Sequence, residues 1–186
     1  MSVIECRKLI AFDSTRPDIT FRKGPEPSYQ NKQNNMEPSV TLNTTFEHTI
    51  QDITFDVLDY DTLIGIFKDG RVFSHFIERW LPMHYPIVHV PGCKDHDHTD
   101  KTHIEILYDA KSFTKGGCKF LPSNMIGTGR VFDAEVFQQK CSKLIYCVVS
   151  NINFPRIKVR FIRGVDLATQ YPSGKIPLKD FDKLFD

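Results

Sequence analysis

The chain has 186 residues, of which 40% are hydrophobic, 12% aromatic and 25% charged. A chain of this length typically folds as one compact domain, and its composition excludes a disordered tail, a collagen, a coiled coil and a mucin-like stalk. Its uninterrupted apolar runs are far shorter than the roughly 20 residues of a membrane-spanning helix, and the N-terminus lacks the apolar region of a secretory signal. We therefore expect residues 1–186 to form a single domain of an intracellular protein.

Basic residues are concentrated in one part of the chain. Residues 111–163 contain ten Lys and Arg but two acidic residues, which gives this segment a charge of +8 in a chain whose formal net charge is +1. An excess of this size suits a polyanion, because each neutralised phosphate of a nucleic acid releases condensed counterions. A solvated basic face is the simpler alternative.

The first 70 residues give weaker structural signals than the rest. Short strands are predicted at Lys8–Phe12 and Ile19–Phe21, and the polar, proline-containing segment after them predicts a linker, so residues 1–40 are expected to form an arm. Residues 40–67 carry short apolar groups broken by acids, a pattern that fits strands or a helix. The turn Lys68-Asp69-Gly70 ends this part.

From residue 72 onward the apolar periodicity predicts a clear order of elements. Apolar residues from Val72 to Leu81 recur at helical spacing, and Pro82 is expected to end that helix. The elements predicted after it are a strand at 86–90, a polar loop at 92–101, a strand at 103–113, a glycine-rich loop at 114–130, a helix at 132–143, strands at 144–150 and 156–162, and an amphipathic segment at 178–185. This order predicts an α/β or α+β fold with a mixed central β-sheet flanked by helices.

The strand at 103–113 carries an acid and a lysine on one face. Asp109 and Lys111 are two residues apart, so strand geometry places them on the same side, about 7 Å from each other. Metal-dependent hydrolysis of phosphodiesters needs carboxylates that converge on a divalent cation, and a nearby lysine that orients water or stabilises charge. An exposed salt bridge, which stabilises by at most about 1 kcal/mol, is the alternative interpretation.

The order of these charged residues carries a resemblance to a known family. An acid on a helix (Glu78), an acid 12 residues before Asp109 (Asp97), the strand ending in DAK, a basic loop, a crossover helix and a further strand resemble the PD-(D/E)xK nuclease superfamily. The core of that superfamily is helix, three strands, helix, strand, with the acid and the acid-x-lysine on neighbouring strands. The resemblance covers roughly residues 72–163, and DAKSFTKGG is its most specific part, typical of type II restriction endonucleases.

The resemblance implies a role for each matching residue. Asp109 would be a metal ligand and Lys111 the catalytic lysine. Glu78 resembles the helix glutamate of some members and would complete the metal site as a third catalytic carboxylate, although a glutamate on the polar face of a helix usually meets only water. The chain departs from the family pattern at the first acid, because its Pro-Asp dipeptide, Pro17-Asp18, lies about 90 residues before Asp109 and none stands shortly before the strand. Asp97 is our preferred second metal ligand, with three alternatives left open: Asp95, Asp100 and Glu105.

Two segments are expected to contact DNA. The glycine-rich loop lets its backbone approach phosphates closely while its polar side chains reach base edges. A later strand extends the basic surface. The predicted DNA-binding residues are Lys115, Lys119, Ser123, Asn124, Arg130, Lys158 and Arg160.

A dense group of Cys and His residues offers a different interpretation. Cys93, His96, His98 and His103 supply the thiolate and imidazole ligands that zinc prefers, and a structural zinc there would fold the polar loop. Their spacing matches no common zinc finger. The five cysteines include no CxxC pair, so free thiols in a reducing compartment are expected rather than a disulfide framework.

The sequence therefore predicts an enzyme. It would be a Mg²⁺-dependent or Mn²⁺-dependent deoxyribonuclease that cleaves double-stranded DNA, as a homodimer when it cuts both strands of a symmetric site. The alternative is a non-catalytic nucleic-acid-binding module in which a zinc-stabilised Cys/His loop and the basic segment hold the nucleic acid. A third interpretation is a protein-interaction domain with an incidental basic face.

Overall fold

A computed structural model describes residues 36–93, 95–125 and 129–186. The strands predicted at Lys8–Phe12 and Ile19–Phe21, and most of the predicted arm at residues 1–40, lie outside the described residues. No helix in these three ranges is long and apolar enough to cross a membrane.

The described residues form eight strands and five α-helices. The strands are β1 (Thr45–Thr49), β2 (Ile87–His89), β3 (His98–Asp100), β4 (Leu107–Phe113), β5 (Cys118–Lys119), β6 (Leu144–Ser150), β7 (Arg156–Arg163) and β8 (Lys175–Ile176). The helices are α1 (Tyr60–Lys68), α2 (Gly70–His84), α3 (Ala134–Cys141), α4 (Gly164–Gln170) and α5 (Phe181–Phe185), with short 3-10 helices at Ser123–Met125 and Leu178–Asp180.

Six strands form one mixed sheet. Their order is β1-β7-β6-β4-β3-β2, and β5 pairs with β8 in a separate two-stranded sheet. Strands β4 and β6 are parallel, whereas the other neighbouring pairs of the large sheet are antiparallel. The parallel pair requires a crossover connection, and α3 lies in it. The predicted mixed sheet flanked by helices is thus confirmed.

Apolar side chains cover both faces of the sheet. Tyr108 on β4 belongs to a core that includes Phe73 and Leu81 of α2, whereas Phe113 at the end of β4 belongs to a second core that includes Phe137 of α3. Every residue of β6 is buried, as expected for a strand covered on both faces. Because successive side chains of a strand point to opposite faces, Asp109 and Lys111 lie on the side of α3.

Several element boundaries differ from the prediction. Helix α2 extends to His84 and contains Pro82, because a proline in the last turn removes only one intrahelical hydrogen bond. The polar loop predicted at 92–101 contains β3, and β4 begins at Leu107 rather than at residue 103. Helix α3 begins after Asp133, whose side chain caps it by accepting from the backbone N–H groups of Glu135 and Val136.

Candidate functional site

Asp109 lies between two lysines from different elements. Its side chain is almost completely buried, with 3% of the residue exposed. On the same strand, Lys111 Nζ donates to Asp109 Oδ1 at 2.6 Å, and Lys140 Nζ from α3 lies 3.3 Å from Asp109 Oδ2. No described residue makes a hydrogen bond to Oδ2. One carboxylate therefore faces two cations, and one of its two oxygens lacks a hydrogen bond.

The ionisation states of Asp109 and Lys111 depend on each other. Burial by itself raises the pKa of Asp109, but the nearby charges of Lys111 and Lys140 outweigh it and hold the pKa below its usual value. Burial likewise lowers the pKa of Lys111, yet the charge and hydrogen bond of Asp109 leave that pKa raised. Asp109 is consequently ionised and Lys111 protonated at neutral pH.

A second carboxyl group lies beside Asp109 because of backbone pairing between β3 and β4. The backbone N–H of Asp97, just before β3, donates to Tyr108 O at 2.9 Å, and its Oδ2 accepts from the backbone N–H of Ala110 at 2.8 Å. Burial and the negative charge of Asp109 raise the pKa of Asp97 to about 7. The Asp97 carboxyl group therefore titrates near neutral pH, because its ionised form places a second negative charge beside Asp109.

These two carboxyl groups fit a divalent cation. Carboxylate oxygens are the ligands that Mg²⁺ prefers, and Asp109 Oδ2 is a buried oxygen without a hydrogen bond. A cation would also remove the repulsion that keeps Asp97 partly protonated. The described residues contain no group of three or more His, Cys, Asp or Glu side chains arranged to hold a metal ion. Glu78 is thus not gathered with Asp97 and Asp109 into a three-carboxylate centre.

Glu78 nevertheless connects α2 to the site through its backbone. A helical residue at position 82 would normally donate its N–H to Glu78 O, but proline has none. The free carbonyl accepts instead from Nε2 of His98, at 2.7 Å. Pro82 thereby allows β3 to be attached to α2 at the residue next to Asp97.

The other acids considered as the second ligand are placed differently. The buried Asp100 carboxylate accepts from Tyr108 Oη at 2.7 Å and from the backbone N–H and hydroxyl groups of Ser39 at 2.8 and 2.7 Å. It also accepts from the backbone N–H groups of Thr102 and His103. Glu105 Oε1 lies 3.8 Å from Nδ1 of His103, with about half of its side chain exposed. Asp95 is exposed. Among these described acids, Asp97 is the one whose carboxyl group faces Asp109.

The four residues of the zinc hypothesis are not brought together. Cys93 Sγ lies 3.4 Å from Nδ1 of His96, so these two are neighbours. His98 is completely buried, with its Nε2 bonded to Glu78 O, and His103 lies beside Glu105. Among the described residues, the structure thus supports a Cys93–His96 pair rather than a four-ligand site.

A cleft of about 600 Å³ lies beside α3, and Lys140 lines it. Its basic lining residues include Lys140 and Lys143, and Asp95 is acidic. The other lining residues are His96, Leu107, Pro122, Asn124, Val136, Gln139 and Leu144. The lining of the cleft thus combines apolar and polar side chains with two lysines, and one of these, Lys140, also contacts Asp109.

The predicted DNA-binding residues lie at several places. Asn124 lines the cleft, and Ser123 begins the 3-10 helix beside it. Lys115 lines a separate cavity of about 450 Å³ together with Lys68 and Arg71. Lys119 on β5 and Arg130 before α3 are exposed.

Lys158 and Arg160 are held by the C-terminal segment instead of facing the cleft. Arg160 Nη1 donates to Leu184 O at 2.6 Å. Lys158 Nζ lies 5.4 Å from the ring centre of Phe181 and 3.8 Å from Asp186 Oδ1. These contacts place both side chains against α5 and its C-terminal end.

Sequence reasoning missed Lys140, which the fold brings to Asp109. Lys140 lies in the predicted helix 132–143, but its importance depends on which face of that helix covers β4. A signal was present, since a helix that connects two parallel strands must pack on the sheet face and a lysine on it can reach the strands. Lys143, at the following turn, belongs to the same group of missed residues.

Comparison with known proteins gives no assignment for this chain. No family model matches it, and neither curated proteins nor solved structures give a significant match.

Proposed function

We propose that the protein is a divalent-metal-dependent deoxyribonuclease of the PD-(D/E)xK type, similar to type II restriction endonucleases. The observation that carries this proposal is the position of the Asp97 carboxyl group beside Asp109, with Lys111 bonded to Asp109. Two acids and a lysine on neighbouring strands are the arrangement that phosphodiester hydrolysis requires.

The order of elements supports the same proposal. Helix α2 is followed by β2, β3 and β4, then by the crossover helix α3 and by β6. This is the helix, three strands, helix, strand order of the superfamily core, with Asp97 just before β3 and Asp109 on the adjacent β4. The correspondence supports a restriction-endonuclease-like core over roughly residues 72–163.

Each residue has a distinct part in the proposed reaction. A divalent cation, Mg²⁺ or Mn²⁺, supplies Lewis-acid activation of the phosphodiester and of a water when bound. Asp97 and Asp109 are the residues that would hold it. Lys111 stays protonated because of Asp109, so it stabilises charge that develops on the phosphate and does not remove a proton from water. Glu78 contributes through its backbone link to His98.

The proposed substrate is double-stranded DNA. The +8 charge of residues 111–163 and the basic side of the cleft support a polyanionic substrate. Each chain carries one set of Asp97, Asp109 and Lys111, so cleavage of both strands at a symmetric site would use two copies of the chain. DNA binding and the homodimer are therefore parts of the proposal that need their own measurements, by fluorescence anisotropy and by light scattering.

A plasmid-nicking assay tests the proposed activity directly. Supercoiled plasmid is incubated with the full-length chain in Mg²⁺, Mn²⁺ or EDTA, and the native protein is compared with Asp109→Asn and Lys111→Met. Asp166→Asn and Lys175→Met are matched controls, because both side chains are exposed and far from these strands in the chain. Thermal denaturation establishes that each variant is folded.

We expect metal-dependent nicked or linear DNA with the native protein and both controls, and loss of cleavage in Asp109→Asn and Lys111→Met. Intact plasmid in every metal, with DNA binding retained, would exclude the nuclease and favour the non-catalytic nucleic-acid-binding module. Zinc analysis of the purified protein would then test the Cys/His loop, because a structural zinc would be stoichiometric and its removal would unfold the domain.

A further inference from the structure

Asp109 carries a single negative charge but is contacted by two lysines, Lys111 and Lys140. Lys111 already forms a hydrogen-bonded ion pair with Oδ1 at 2.6 Å. Lys140 approaches the other oxygen at 3.3 Å, but Oδ2 makes no hydrogen bond. One carboxylate is thus contacted by two lysines, and Lys140 is the one of the two that also lines the cleft. An anion that entered the cleft would meet this lysine.

Lys140 is the more weakly held of the two lysines. Lys111 is fixed by its short bond on the same strand, whereas Lys140 reaches across from α3 at the longer distance. It also lines the cleft, where Lys143, two residues after the end of the same helix, is exposed. A lysine ammonium on its flexible four-carbon stem can change partners by rotation of its side chain alone. Lys140 is therefore positioned to bind either Asp109 or a group in the cleft.

We propose that Lys140 and Lys143 form a binding site for a backbone phosphate of the nucleic acid in this cleft, and that Lys140 exchanges Asp109 Oδ2 for a phosphate oxygen. The assignment of the ligand rests on the proposed function, since a phosphodiester is the substrate of the adjacent carboxylates. Asn124 in the same cleft adds an amide donor. In the free protein, Lys140 occupies the oxygen that a divalent cation needs.

Two opposite consequences follow from this exchange. Removal of the Lys140 charge should strengthen the binding of a divalent cation to Asp97 and Asp109, because a competing cation is gone. The same change should weaken DNA binding, because a phosphate contact is lost. A lysine that only stabilises the fold would not produce these two effects with opposite signs.

The test uses full-length Lys140→Gln and two binding measurements that need no cleavage. Binding of Ca²⁺ alone is measured by calorimetry, and we expect roughly tenfold tighter binding than in the native protein. Binding of a fluorescent DNA duplex in Ca²⁺ is measured by anisotropy at several salt concentrations. We expect roughly tenfold weaker binding and a salt slope smaller by about one.

Two further variants separate the parts of the site. Lys143→Gln should weaken DNA binding with an unchanged Ca²⁺ affinity, because Lys143 is not in contact with Asp109 in the structure's ion pairs. Lys175→Gln, an exposed lysine on β8, is the matched control and should change neither. If Lys140→Gln binds both Ca²⁺ and DNA as the native protein does, the proposal is wrong.

The rate at which lysines of the native protein are chemically acetylated tests the same exchange of Lys140 without a substitution at position 140. Mass spectrometry should find Lys140 acetylated faster when Ca²⁺ is added and slower when duplex DNA is then added, with Lys175 unaffected. Protection of Lys140 that is independent of both ligands would overturn the exchange.

The outcomes also distinguish this proposal from the nuclease. Weaker DNA binding by Lys140→Gln in a protein that never cleaves plasmid would support the phosphate site and exclude the nuclease. Plasmid cleavage by the native protein, with native-like Ca²⁺ and DNA binding by Lys140→Gln, would retain the nuclease and exclude the phosphate site.

Discussion

The two ends of β3 each carry an aspartate, and the two carboxyl groups have opposite surroundings. Asp100, the last residue of the strand, accepts hydrogen bonds from Ser39, Thr102, His103 and Tyr108. Burial raises its pKa, but these donors outweigh burial and hold the pKa well below the usual range. Asp97, just before the strand, has one backbone donor and faces the charge of Asp109, so its pKa is raised to about 7.

This difference separates a structural carboxylate from one suited to binding a ligand. The negative charge of Asp100 is already compensated by N–H and O–H groups, so a cation would gain little there. At Asp97, the charge of Lys111 and the Ala110 N–H only partly offset burial and the charge of Asp109, so a cation would stabilise its ionised form. Replacement of each aspartate should therefore affect different properties of the protein.

The largest expected effect is on activity, at the Asp97 end. Asp97→Asn keeps an oxygen that can accept from the Ala110 N–H but removes the charge that would hold a cation. We expect the single-turnover rate of plasmid nicking to fall by roughly 10²- to 10³-fold, the size typical of a lost electrostatic contact in an active site. Thermal denaturation should show that the variant remains folded. A cleavage rate within tenfold of the native value would contradict the role of Asp97.

The next effect is on stability, at the Asp100 end. Asp100→Ala leaves the donors of Ser39, Thr102, His103 and Tyr108 without their acceptor. We expect the free energy of unfolding in urea to fall by about 3 kcal/mol. Cleavage at a temperature where the variant is folded should persist. Asp100→Asn, which keeps one acceptor oxygen, is the matched control and should lose less stability.

The pH dependence of stability should have opposite signs for the two aspartates. Because the folded pKa of Asp97 lies above its unfolded value, the folded state holds more protons between about pH 4 and pH 7, and this contribution decreases as pH rises through that window. For Asp100, whose folded pKa is lowered, the contribution is present above about pH 4 and is lost in acid. Urea titrations in EDTA at pH 5 to 8 should show Asp97→Asn gaining stability relative to the native protein as pH rises. A constant difference between the two proteins would show that Asp97 does not titrate in this range.

The smallest effect is expected for Lys158, which lies outside the cluster of Asp97, Asp109, Lys111 and Lys140. Lys158 forms its 3.8 Å ion pair with Asp186, whose side chain is largely exposed. Such pairs typically contribute less than about 1 kcal/mol. Lys158→Ala should therefore bind duplex DNA within about twofold of the native affinity. A loss of tenfold or more would return Lys158 to the DNA-binding surface predicted from the sequence.

The sequence predicts the strands whose apolar residues are continuous or alternate along the chain. Strands β6 and β7 were predicted within one residue, because their apolar residues are continuous or alternate. Strand β3 was not predicted, because His98, Thr99 and Asp100 lack an apolar alternation and are ordered by hydrogen bonds with other segments. A strand that polar contacts specify leaves little signal in hydrophobicity.

The candidate site was predictable in part for the same reason. The spacing of Asp109 and Lys111 fixes their common face of β4, and the structure places them in contact. The choice of Asp97 over Asp95, Asp100 and Glu105 depends on the register of β3 against β4, which a short polar strand does not encode in its own residues. Lys140 required knowledge of the helix face that covers the sheet. Lys158 and Arg160 were placed on the correct strand, but α5 covers them.

Pro82 in α2 links local unfolding of that helix to local unfolding of β3. Its missing N–H leaves Glu78 O for His98, so the Nε2 of His98 must carry the hydrogen and the two elements share one buried hydrogen bond. If either element separates from the other, a buried carbonyl and a buried imidazole both lose their partner, which is costly. Local fluctuations that loosen α2 will therefore loosen β3 and the adjacent Asp97 at the same time. How well Asp97, the candidate metal ligand, is held in place thus depends on Pro82, a residue that does not contact it.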